Sequence, residues 1–319
     1  MILTVTMNPS IDYLYNINHL KLGRVNKTSN PTSNIGGKGI NAGRAAALIG
    51  SDVILTGFLF GNNGFLIKQM LEKERIFTLD FLENKEQNNR NALTIMHDNH
   101  THTEIVEQGP TINNKQKKMI LNKIDSILEN NSTISTVCIS GSVNTKDSSF
   151  YKDLMINLNK NYPDKKVLLD ISEEQLINVL SDKESLPFFI KPNKHEFSDL
   201  IKKDINTKQD IIKELHENSL FKNIPVVLVS CGKDGAVVKY EQEIFNVHIP
   251  KIDVINPTGA GDSTVGLFAY SIENDFSIHD SIKYAMAGGI SNTLNENVGQ
   301  VSKMVVYDLI SQIKIKKIE

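Results

Sequence analysis

A run of small residues leads directly into a carboxylate in the stretch Asn256-Pro257-Thr258-Gly259-Ala260-Gly261-Asp262. The glycines leave the backbone N–H groups open to an anion, and the apolar periodicity after Asp262 predicts that a helix begins there. Asp262 could simply cap that helix. It could also take a proton from a hydroxyl nucleophile while the amides of Gly259, Ala260 and Gly261 stabilise charge on a transferred phosphoryl group. The stretch alone favours the cap, because short glycine motifs often occur by chance.

A second glycine-rich turn, Gly36-Gly37-Lys38-Gly39, also precedes a helical pattern, which contains Asn41. Close backbone approach by a polar ligand explains this composition, and so does an ordinary turn. Asp12 follows a strand-like run and could cap a turn or bind sugar hydroxyls. Lys27 and Arg90 lie on segments expected to be half-exposed strands, where solvation is the simpler explanation for each charge taken alone.

Other polar residues allow two interpretations. Asn193 and Glu196 are three residues apart at an expected helix start, which a capping box explains. Water-mediated contact with Mg²⁺ is the alternative, because Mg²⁺ keeps most of its waters and prefers oxygen ligands. The stretch 231–235 is interpreted first as a hairpin turn and second as a nucleotide contact. The remaining group, His97, His100 and His102, has no strong metal-binding spacing and is interpreted as part of a turn.

The elements that must position these residues alternate between strand and helix. This order predicts an α/β fold with a mostly parallel sheet covered by helices on both faces, and ligands bind beyond the carboxyl ends of such strands. An apolar run at Ile252, Val254 and Ile255 is expected to be a strand leading into the Asp262 turn. Two alternating segments, about 11–35 (with a strand near 25–33) and 90–107, are expected to add a small β-strand lid. The lysine-rich end, 314–317, is expected to be solvated.

The composition excludes several classes of protein. The chain has 319 residues, 40% of them hydrophobic, and a net charge of −2 that argues against a nucleic-acid or anionic-membrane surface. Cys138 and Cys231 are too few for a disulfide framework and are expected to be buried thiols. The N-terminal residues show no signal-peptide pattern, and no apolar run is long enough to span a membrane. We expect a single domain over residues 1–319 in a cytoplasmic setting.

Together these residues form a recognisable set. The chain resembles the PfkB, or ribokinase-like, carbohydrate kinase family, and within it the tagatose-6-phosphate kinases and 1-phosphofructokinases. The likeness runs in order along nearly the whole chain, which makes it far more specific than any single motif. The stretches that carry it are Thr4–Asp12, Gly36–Asn41, Arg90-Asn91, Glu107–Pro110, Ser140–Ser142, Ile190–Asn193 with Glu196, Val229–Ser230 with Gly232 and Asp234–Ala236, and Gly259–Ser263.

The resemblance implies a ribokinase-like fold and phosphate transfer from ATP, with Mg²⁺, to a sugar phosphate. Asp262 matches the catalytic base, and the amides of Gly259, Ala260 and Gly261 match the anion hole. Substrate-binding matches are Asp12, Lys27, Gly37, Lys38, Asn41, Arg90 and Ser140, among which Lys27 and Arg90 would hold the phosphate already on the sugar. Nucleotide-binding matches are Lys191, Asn193, Ser230, Gly232, Gly235 and Asn292, and Asn193 and Glu196 match a motif that holds Mg²⁺ through water. The lid would close the sugar pocket and could pair two subunits as a homodimer.

The likeness is divided between two substrates. The stretches 107–110 and 256–257 look like the tagatose-6-phosphate kinases, whereas Val143 and Lys194 look like the 1-phosphofructokinases. The resemblance favours D-tagatose 6-phosphate, giving D-tagatose 1,6-bisphosphate in lactose or galactose catabolism, with fructose 1-phosphate as the alternative. The chain departs from the family pattern at Asn144, at Thr145 and in the stretch 171–173. Asn256 gives no reason to expect a potassium site. The competing classes are a non-catalytic binding protein and a nucleoside kinase. A binding protein would have no reason to keep Asp262, and a nucleoside kinase would have less reason for the basic pair Lys27 and Arg90.

Overall fold

The computed structural model describes residues 1–29, 31–98 and 101–318. The strands are β1 (Ile2–Thr6), β2 (Ser10–Asn16), β3 (Thr32–Gly36), β4 (Val53–Phe60), β5 (Thr78–Leu79), β6 (Leu82–Asn84), β7 (Arg90–His97), β8 (Thr101–Val106), β9 (Thr136–Ser140), β10 (Lys166–Asp170), β11 (Phe189–Ile190), β12 (Val226–Ser230), β13 (Ala236–Tyr240), β14 (Glu243–His248) and β15 (Lys314–Ile318). The α-helices are α1 (Lys38–Ile49), α2 (Gly61–Glu74), α3 (Asn114–Asn130), α4 (Phe150–Asn161), α5 (Glu173–Leu180), α6 (Lys194–Ile201), α7 (Lys208–Glu217), α8 (Ala260–Glu273), α9 (Ile278–Thr293) and α10 (Lys303–Gln312).

The larger sheet has the order β15-β14-β13-β12-β11-β10-β9-β1-β4-β5, with β6 beside the end of β4. Neighbours from β12 to β5 are parallel, whereas β13, β14 and β15 are added antiparallel at one side. Within β1, Ile2 belongs to one apolar cluster and Leu3 and Val5 to another, as expected of a strand buried on both faces. Helices α1, α2, α8, α9 and α10 contribute to the first cluster, and α3 to α7 to the second. The predicted two-sided α/β fold is therefore confirmed.

The second sheet, in the order β3-β2-β7-β8, is formed by the two segments that were expected to make a lid, and it is called the lid below. Strand β2 pairs antiparallel with β3 and parallel with β7, and β7 and β8 form the predicted hairpin. All residues of β8 are exposed, in agreement with the expected wet face. The interpretation of His97 and His102 as turn residues was wrong, because His97 is the last residue of β7 and His102 lies on β8. The His97 side chain contacts Asp98 and Thr103, and His100 lies outside the described residues.

The parallel strands bring their carboxyl ends to one edge of the larger sheet. Ser140, the last residue of β9, pairs in register with Thr6 of β1 and Asp170 of β10. Ser230 at the end of β12 forms a bridge with Asn193, which follows β11. The polar stretches that follow these strands therefore meet at a common edge, as the sequence predicted. Within the described part of the chain, no helix combines the length and apolar character needed to cross a membrane.

Several local predictions were wrong. The expected strand near 25–33 is not present among the described residues before Thr32, because the Asn26 side chain bonds to the backbone of Lys21 and Arg24 and folds the segment into a turn. Helix α5 was not predicted. The end of the chain is not a solvated tail but strand β15, which pairs with β14. Its Ile315 packs against the core while its lysines occupy an edge, where charge opposes further strand pairing.

The segment before the Asp262 turn is also not a strand. Val254 and Ile255 are 52% and 61% exposed, and the backbone N–H groups of Ile255 and Asn256 donate instead to the carbonyl oxygen of Thr293. Their β-branched side chains suggested a strand, but this stretch does not pair with a neighbouring strand. Of the two cysteines, Cys138 is buried as predicted, whereas Cys231 is only partly buried.

Candidate active site

Helix α8 begins at the glycine turn and carries Asp262 in its first turn. Gly259 is the N-cap with φ of 79°, and a β-carbon at this position would collide with Val298, so the turn requires glycine. The N–H of Ala260 donates to the carbonyl oxygen of Pro257 at 3.3 Å. The N–H groups of Gly261 and Asp262 have no acceptor among the described residues, which is the expected state of helix-start donors that are available to an anion.

The carboxyl group of Asp262 is buried, and its pKa is raised to about 6, first by burial and then by the nearby charge of Asp170. Three groups oppose this rise: the hydrogen bond from Asn41, then the charges of Lys38 and Lys191. The Asn41 amide nitrogen donates to Asp262 Oδ2 at 2.8 Å. A carboxylate with a pKa close to neutrality is well matched to general-base catalysis.

Two lysines bring positive charge to Asp262. Lys38 begins α1, and its Nζ lies 3.5 Å from Asp170 Oδ1. The negative charge of Asp170 is the main cause that raises the pKa of Lys38. Lys191 follows β11 and is buried; a β-carbon placed on Gly261 would lie 2.8 Å from its Nζ. The Lys191 ammonium group therefore lies beside the start of α8, where it could neutralise a phosphoryl group.

Asp12 and Arg90 lie together at the base of the lid. Ser10 donates to Asp12 Oδ1 at 2.6 Å, and Ser10 pairs in register with Arg90. Burial raises the pKa of Asp12, while the hydrogen bond from Ser10 and the charge of Arg90 oppose the rise. Gly36 lies directly against the Asp12 carboxylate, so the glycine turn gives that side chain its space. Burial also lowers the pKa of Arg90, whose Nε has no hydrogen-bond partner among the described residues.

Of the other residues predicted to bind substrate, Gly37 and Ser140 lie near Lys38, whereas Lys27 lies apart from them. Gly37 is the N-cap of α1, between Gly36 and Lys38, and thus joins the lid group to the Asp262 group. Ser140 has a buried Oγ without a partner in the described part of the structure, and the next residue, Gly141, approaches Lys38. Lys27 lies in the exposed segment between β2 and β3 rather than on a lid strand, and the structure shows no contact between it and Arg90 within the residues described.

A cleft of about 720 Å³ lies beyond the ends of β11 and β12. Asn193, Ser230 and Gly232 line it, together with three lysines, Lys194, Lys208 and Lys233. Such a volume is typical of small-molecule sites, and the lysines favour an anionic ligand.

The remaining nucleotide-binding predictions, Gly235 and Asn292, lie outside the lining of this cleft. Gly235 has φ of 84° and packs against the carbonyl of Val247. The Asn292 amide donates to Thr258 O at 2.7 Å and accepts from the Gly299 N–H at 2.7 Å. Asn292 therefore braces the glycine turn, and its contact with a nucleotide stays a prediction.

Asn193 and Glu196 form the capping box that the simpler interpretation predicted. Asn193 Oδ1 accepts from the Glu196 N–H at 2.9 Å, and Glu196 Oε2 accepts from the Asn193 N–H at 2.7 Å. The same glutamate also lines a smaller cleft with Asp170, Glu173 and Lys191. Three carboxylates without a thiol are a donor set that fits a hydrated divalent cation such as Mg²⁺.

A second group of carboxylates with a histidine lies nearby. Ligand atoms of Glu173, His195 and Asp199 lie within 4.8 Å of one another. His195 Nδ1 and Asp199 Oδ2 lie 2.8 Å apart, one helical turn along α6, and both residues are exposed. This group is therefore explained as polar surface contacts at α5 and α6.

Two residues at the site were not assigned by the sequence. Asp170 ends the apolar strand β10, and that position was a signal, but its contact with Lys38 links this strand to helix α1, which lies far away in the chain. Arg44 is buried on α1 and donates from Nη1 to Asn41 Oδ1 at 3.0 Å. An arginine among the alanines of an apolar helix face was the signal that could have identified it.

Comparisons with known proteins agree with this arrangement. The family model described as pfkB family carbohydrate kinase matches residues 5–299. A Staphylococcus aureus protein proposed to be a phosphofructokinase is 28% identical, with a TM-score of 0.81, and the match covers 100% of this chain and 99% of that one. Phosphofructokinase-2 from Escherichia coli, solved with potassium, is 23% identical with a TM-score of 0.85, covering 97% and 98%. A Thermotoga maritima protein described as a possible 1-phosphofructokinase is 22% identical with a TM-score of 0.86, covering 100% of both chains.

The covered parallel sheet with its β-strand lid is the ribokinase-like fold, shared in outline with an Arabidopsis thaliana ribokinase (TM-score 0.76, 19% identity). The buried Asp262 carboxylate at a glycine turn agrees with a sugar kinase, the class that the family model indicates. Because the family model covers most of its length, the chain belongs to the pfkB family of carbohydrate kinases.

Proposed function

We propose that this enzyme transfers the γ-phosphoryl group of ATP to a hydroxyl of a ketohexose monophosphate. The observation that carries the proposal is the buried Asp262 carboxylate, with a pKa of about 6, at the open N-terminus of α8. Asp12 and Arg90 lie at the base of the lid, and the lysine-lined cleft lies along the same sheet edge. This order suits a sugar phosphate under the lid and a nucleotide in the cleft.

The reaction follows from these positions. The attacking hydroxyl gives its proton to Asp262, its oxygen forms a bond to the γ-phosphorus, and the bond from that phosphorus to the bridging oxygen of ADP breaks in line. The free N–H groups of Gly261 and Asp262 and the ammonium groups of Lys38 and Lys191 stabilise the charge on the transferred group. The lid excludes water that would otherwise accept the phosphoryl group.

Mg²⁺ is the divalent cation that we expect to accompany ATP. Asp170 and Glu196 would hold it, directly or through water, because their carboxylates line the same small cleft. When bound, the ion supplies charge neutralisation at the phosphate oxygens. Asn193 would act through its capping box, which fixes the Glu196 side chain.

We expect Glu196→Gln to raise the Mg²⁺ concentration for half-maximal activity by roughly tenfold, the scale typical of groups that hold a metal through water. Glutamine keeps a hydrogen-bond acceptor for the capping box but removes the charge. A Mg²⁺ titration of kcat at saturating ATP and sugar phosphate measures this. Asp210→Asn, at the same capping-box position of α7, is the matched control. Superimposable titrations for wild type and Glu196→Gln would exclude this role.

The preferred substrate is D-tagatose 6-phosphate, giving D-tagatose 1,6-bisphosphate. Arg90 supports a substrate that already carries a phosphate, because a half-buried guanidinium whose Nε has no partner among the described residues is suited to bind an oxyanion. A ketohexofuranose has CH₂O groups on both carbons beside the ring oxygen. Phosphate at either end can therefore leave the other hydroxyl near Asp262, and fructose 1-phosphate is the alternative. The preference for tagatose rests on the likeness at 107–110 and 256–257.

A substrate panel tests this proposal. kcat/KM with MgATP is compared for D-tagatose 6-phosphate, D-fructose 6-phosphate, D-fructose 1-phosphate and unphosphorylated D-fructose. We expect tagatose 6-phosphate to lead and unphosphorylated fructose to be the poorest. A lead of more than about tenfold for fructose 1-phosphate, or roughly 1.4 kcal/mol in the transition state, would select the alternative.

We also propose that two copies of the chain pair through their lids. Strand β8 forms one edge of the lid sheet and exposes Ile105 and Val106 by 55% and 50%. Leu22 and Val25, in the segment between β2 and β3, are still more exposed. An unpaired strand edge with exposed apolar side chains favours association with another surface. The lid of a second copy has the same strand edge and the same apolar side chains. A tetrameric inhibited form is known for phosphofructokinase-2 from Escherichia coli.

We expect the wild-type protein to sediment as a dimer at micromolar concentration and Ile105→Glu to sediment as a monomer, because the new charge would be buried in the interface. Sedimentation equilibrium measures both masses. Met304→Glu makes the same kind of exchange at a residue that is 78% exposed on α10, outside the lid, and serves as the control. A monomeric wild type, or a dimer unaffected by Ile105→Glu, would refute pairing through the lid.

A further inference from the structure

We propose that Arg44 is a positioning residue that fixes the side-chain amide of Asn41 so that its NH₂ group faces Asp262. The inference rests on the proposed function only in treating Asp262 as the base. The sequence placed Asn41 among the sugar-binding residues, whereas the structure gives its amide nitrogen to Asp262 and its oxygen to Arg44.

The orientation of the Asn41 amide follows from the chemistry of its two partners. An asparagine amide can turn by 180° with almost no change of shape, exchanging its oxygen and nitrogen. Arg44 has only donors, so the atom that faces it must be the oxygen, and the NH₂ group must then face the carboxylate. Both contacts are short, 3.0 Å from Arg44 Nη1 and 2.8 Å to Asp262 Oδ2. Asn41 and Arg44 are 5% and 4% exposed, so water offers little alternative to this pair.

Arg44 is itself held in place by Glu74 at the end of α2. Arg44 Nε donates to Glu74 Oε2 at 2.7 Å, and Nη2 donates to Oε1 at 2.8 Å. This bidentate pair occupies one edge of the guanidinium and leaves Nη1 for Asn41. A β-carbon on Gly299 would lie 3.1 Å from both Arg44 Nη1 and the Asn41 Cα, so the chain at Gly299 covers the pair.

These contacts oppose the burial-raised pKa of Asp262 and fix which carboxylate oxygen is free. The Asn41 N–H stabilises the charged form of Asp262 and engages Oδ2, which leaves Oδ1 for the proton of the attacking hydroxyl. With the amide reversed, its oxygen would face the carboxylate and favour the protonated, inactive form. The other charged groups around Asp262 are Asp170, which opposes ionisation, and Lys38 and Lys191, which favour it. None of these is altered by a change at Arg44.

The test measures the pKa of Asp262 in the free, full-length protein. Protein labelled with ¹³C at aspartate side-chain carboxyls is titrated by NMR, and Asp262→Asn identifies the resonance. We expect Arg44→Met and Asn41→Leu each to raise the Asp262 pKa by about one unit, the scale of losing one hydrogen bond to a buried carboxylate. The double variant should show no larger rise than Asn41→Leu alone, because Arg44 acts through Asn41. Arg75→Met removes an exposed arginine beside Glu74 and controls for loss of charge.

Arg44→Leu also lacks a hydrogen-bond donor and repeats the cycle should Arg44→Met fail to fold. An Asp262 pKa unchanged in the Arg44 variants would overturn the inference. Shifts that add in the double variant would overturn it too, because Arg44 would then act by its own charge. The titration contains no substrate, so its result is independent of the substrate panel. If the enzyme phosphorylates none of the sugars in the substrate panel, the proposed function is refuted. If the Asp262 pKa does not change in the titration, only the role of Arg44 is refuted.

Discussion

Asp262→Asn should lower kcat by roughly 10²–10⁴-fold, the usual contribution of a general base, while the KM values for ATP and sugar phosphate change little. Asparagine keeps the size of the side chain and can still contact Asn41, but it cannot accept the hydroxyl proton. Steady-state kinetics on the purified variant measures both parameters. KM should change little because the groups proposed to bind the substrates, Arg90 and the lysine-lined cleft, stay in place in this variant.

The chain offers a matched control for this substitution. Asp280 occupies the same position in the first turn of α9 as Asp262 does in α8, and it lies outside the site. Asp280→Asn should leave kcat close to wild type. The structure makes Gly259 the N-cap of α8 and shows no side-chain cap from Asp262, so the capping role considered from the sequence does not apply. A folded Asp262→Asn enzyme that retains near wild-type kcat would show that Asp262 is not the base.

The pH dependence of the wild-type enzyme follows from the same carboxylate. Asp262 acts only when it is deprotonated, and its pKa in the free protein is about 6, so kcat/KM should rise with pH and be half-maximal near pH 6. A kcat/KM that stays constant down to pH 4.5 would contradict the burial-raised pKa of the base.

The second large effect is expected at Arg90. Arg90→Ala should raise the KM for the sugar phosphate by roughly 10–150-fold, because a charge-assisted contact to phosphate contributes about 1.5–3 kcal/mol. The KM for ATP should not change, since Arg90 lies at the base of the lid and outside the lysine-lined cleft. Arg90→Lys keeps the charge and should lose less. Initial-rate kinetics with each substrate varied in turn measures all of these values.

Arg75→Ala, at the exposed end of α2, is the control for removing an arginine. Lys27→Ala is informative for a different reason, because the structure places Lys27 in an exposed segment and not beside Arg90. A steep rise in sugar-phosphate KM for Lys27→Ala would indicate that this segment moves towards Arg90 when substrate binds. An unchanged sugar-phosphate KM in Arg90→Ala would refute the assignment of Arg90.

Features that depend on short stretches of sequence were predictable. The glycine turn before α8, the capping box at Asn193 and the β7–β8 hairpin each follow from residues a few positions apart. The meeting of the strand ends was also predictable, because parallel strands in one sheet end at the same edge.

The contacts that adjust the base could not be predicted in the same way. Asn41 and Asp262 are 221 residues apart, and the sequence carries no sign of which amide atom faces the carboxylate. Likewise, the local sequence of β15 predicts a charged tail, but the segment forms a strand because β14 pairs with it. The apolar run at 252–255 predicts a strand, but its side chains are exposed. In each case tertiary pairing, absent from the local pattern, decides the outcome.

³¹P NMR of a reaction between the wild-type enzyme, MgATP and D-tagatose 6-phosphate tests the central claim most directly. We expect one sugar bisphosphate to form for each ADP, with two monoester resonances on the same sugar and no matching release of inorganic phosphate. The same spectrum recorded with Asp262→Asn should show ATP and the sugar phosphate unchanged over that time. Release of inorganic phosphate without a bisphosphate, or a bisphosphate formed at the wild-type rate by Asp262→Asn, would contradict the central claim.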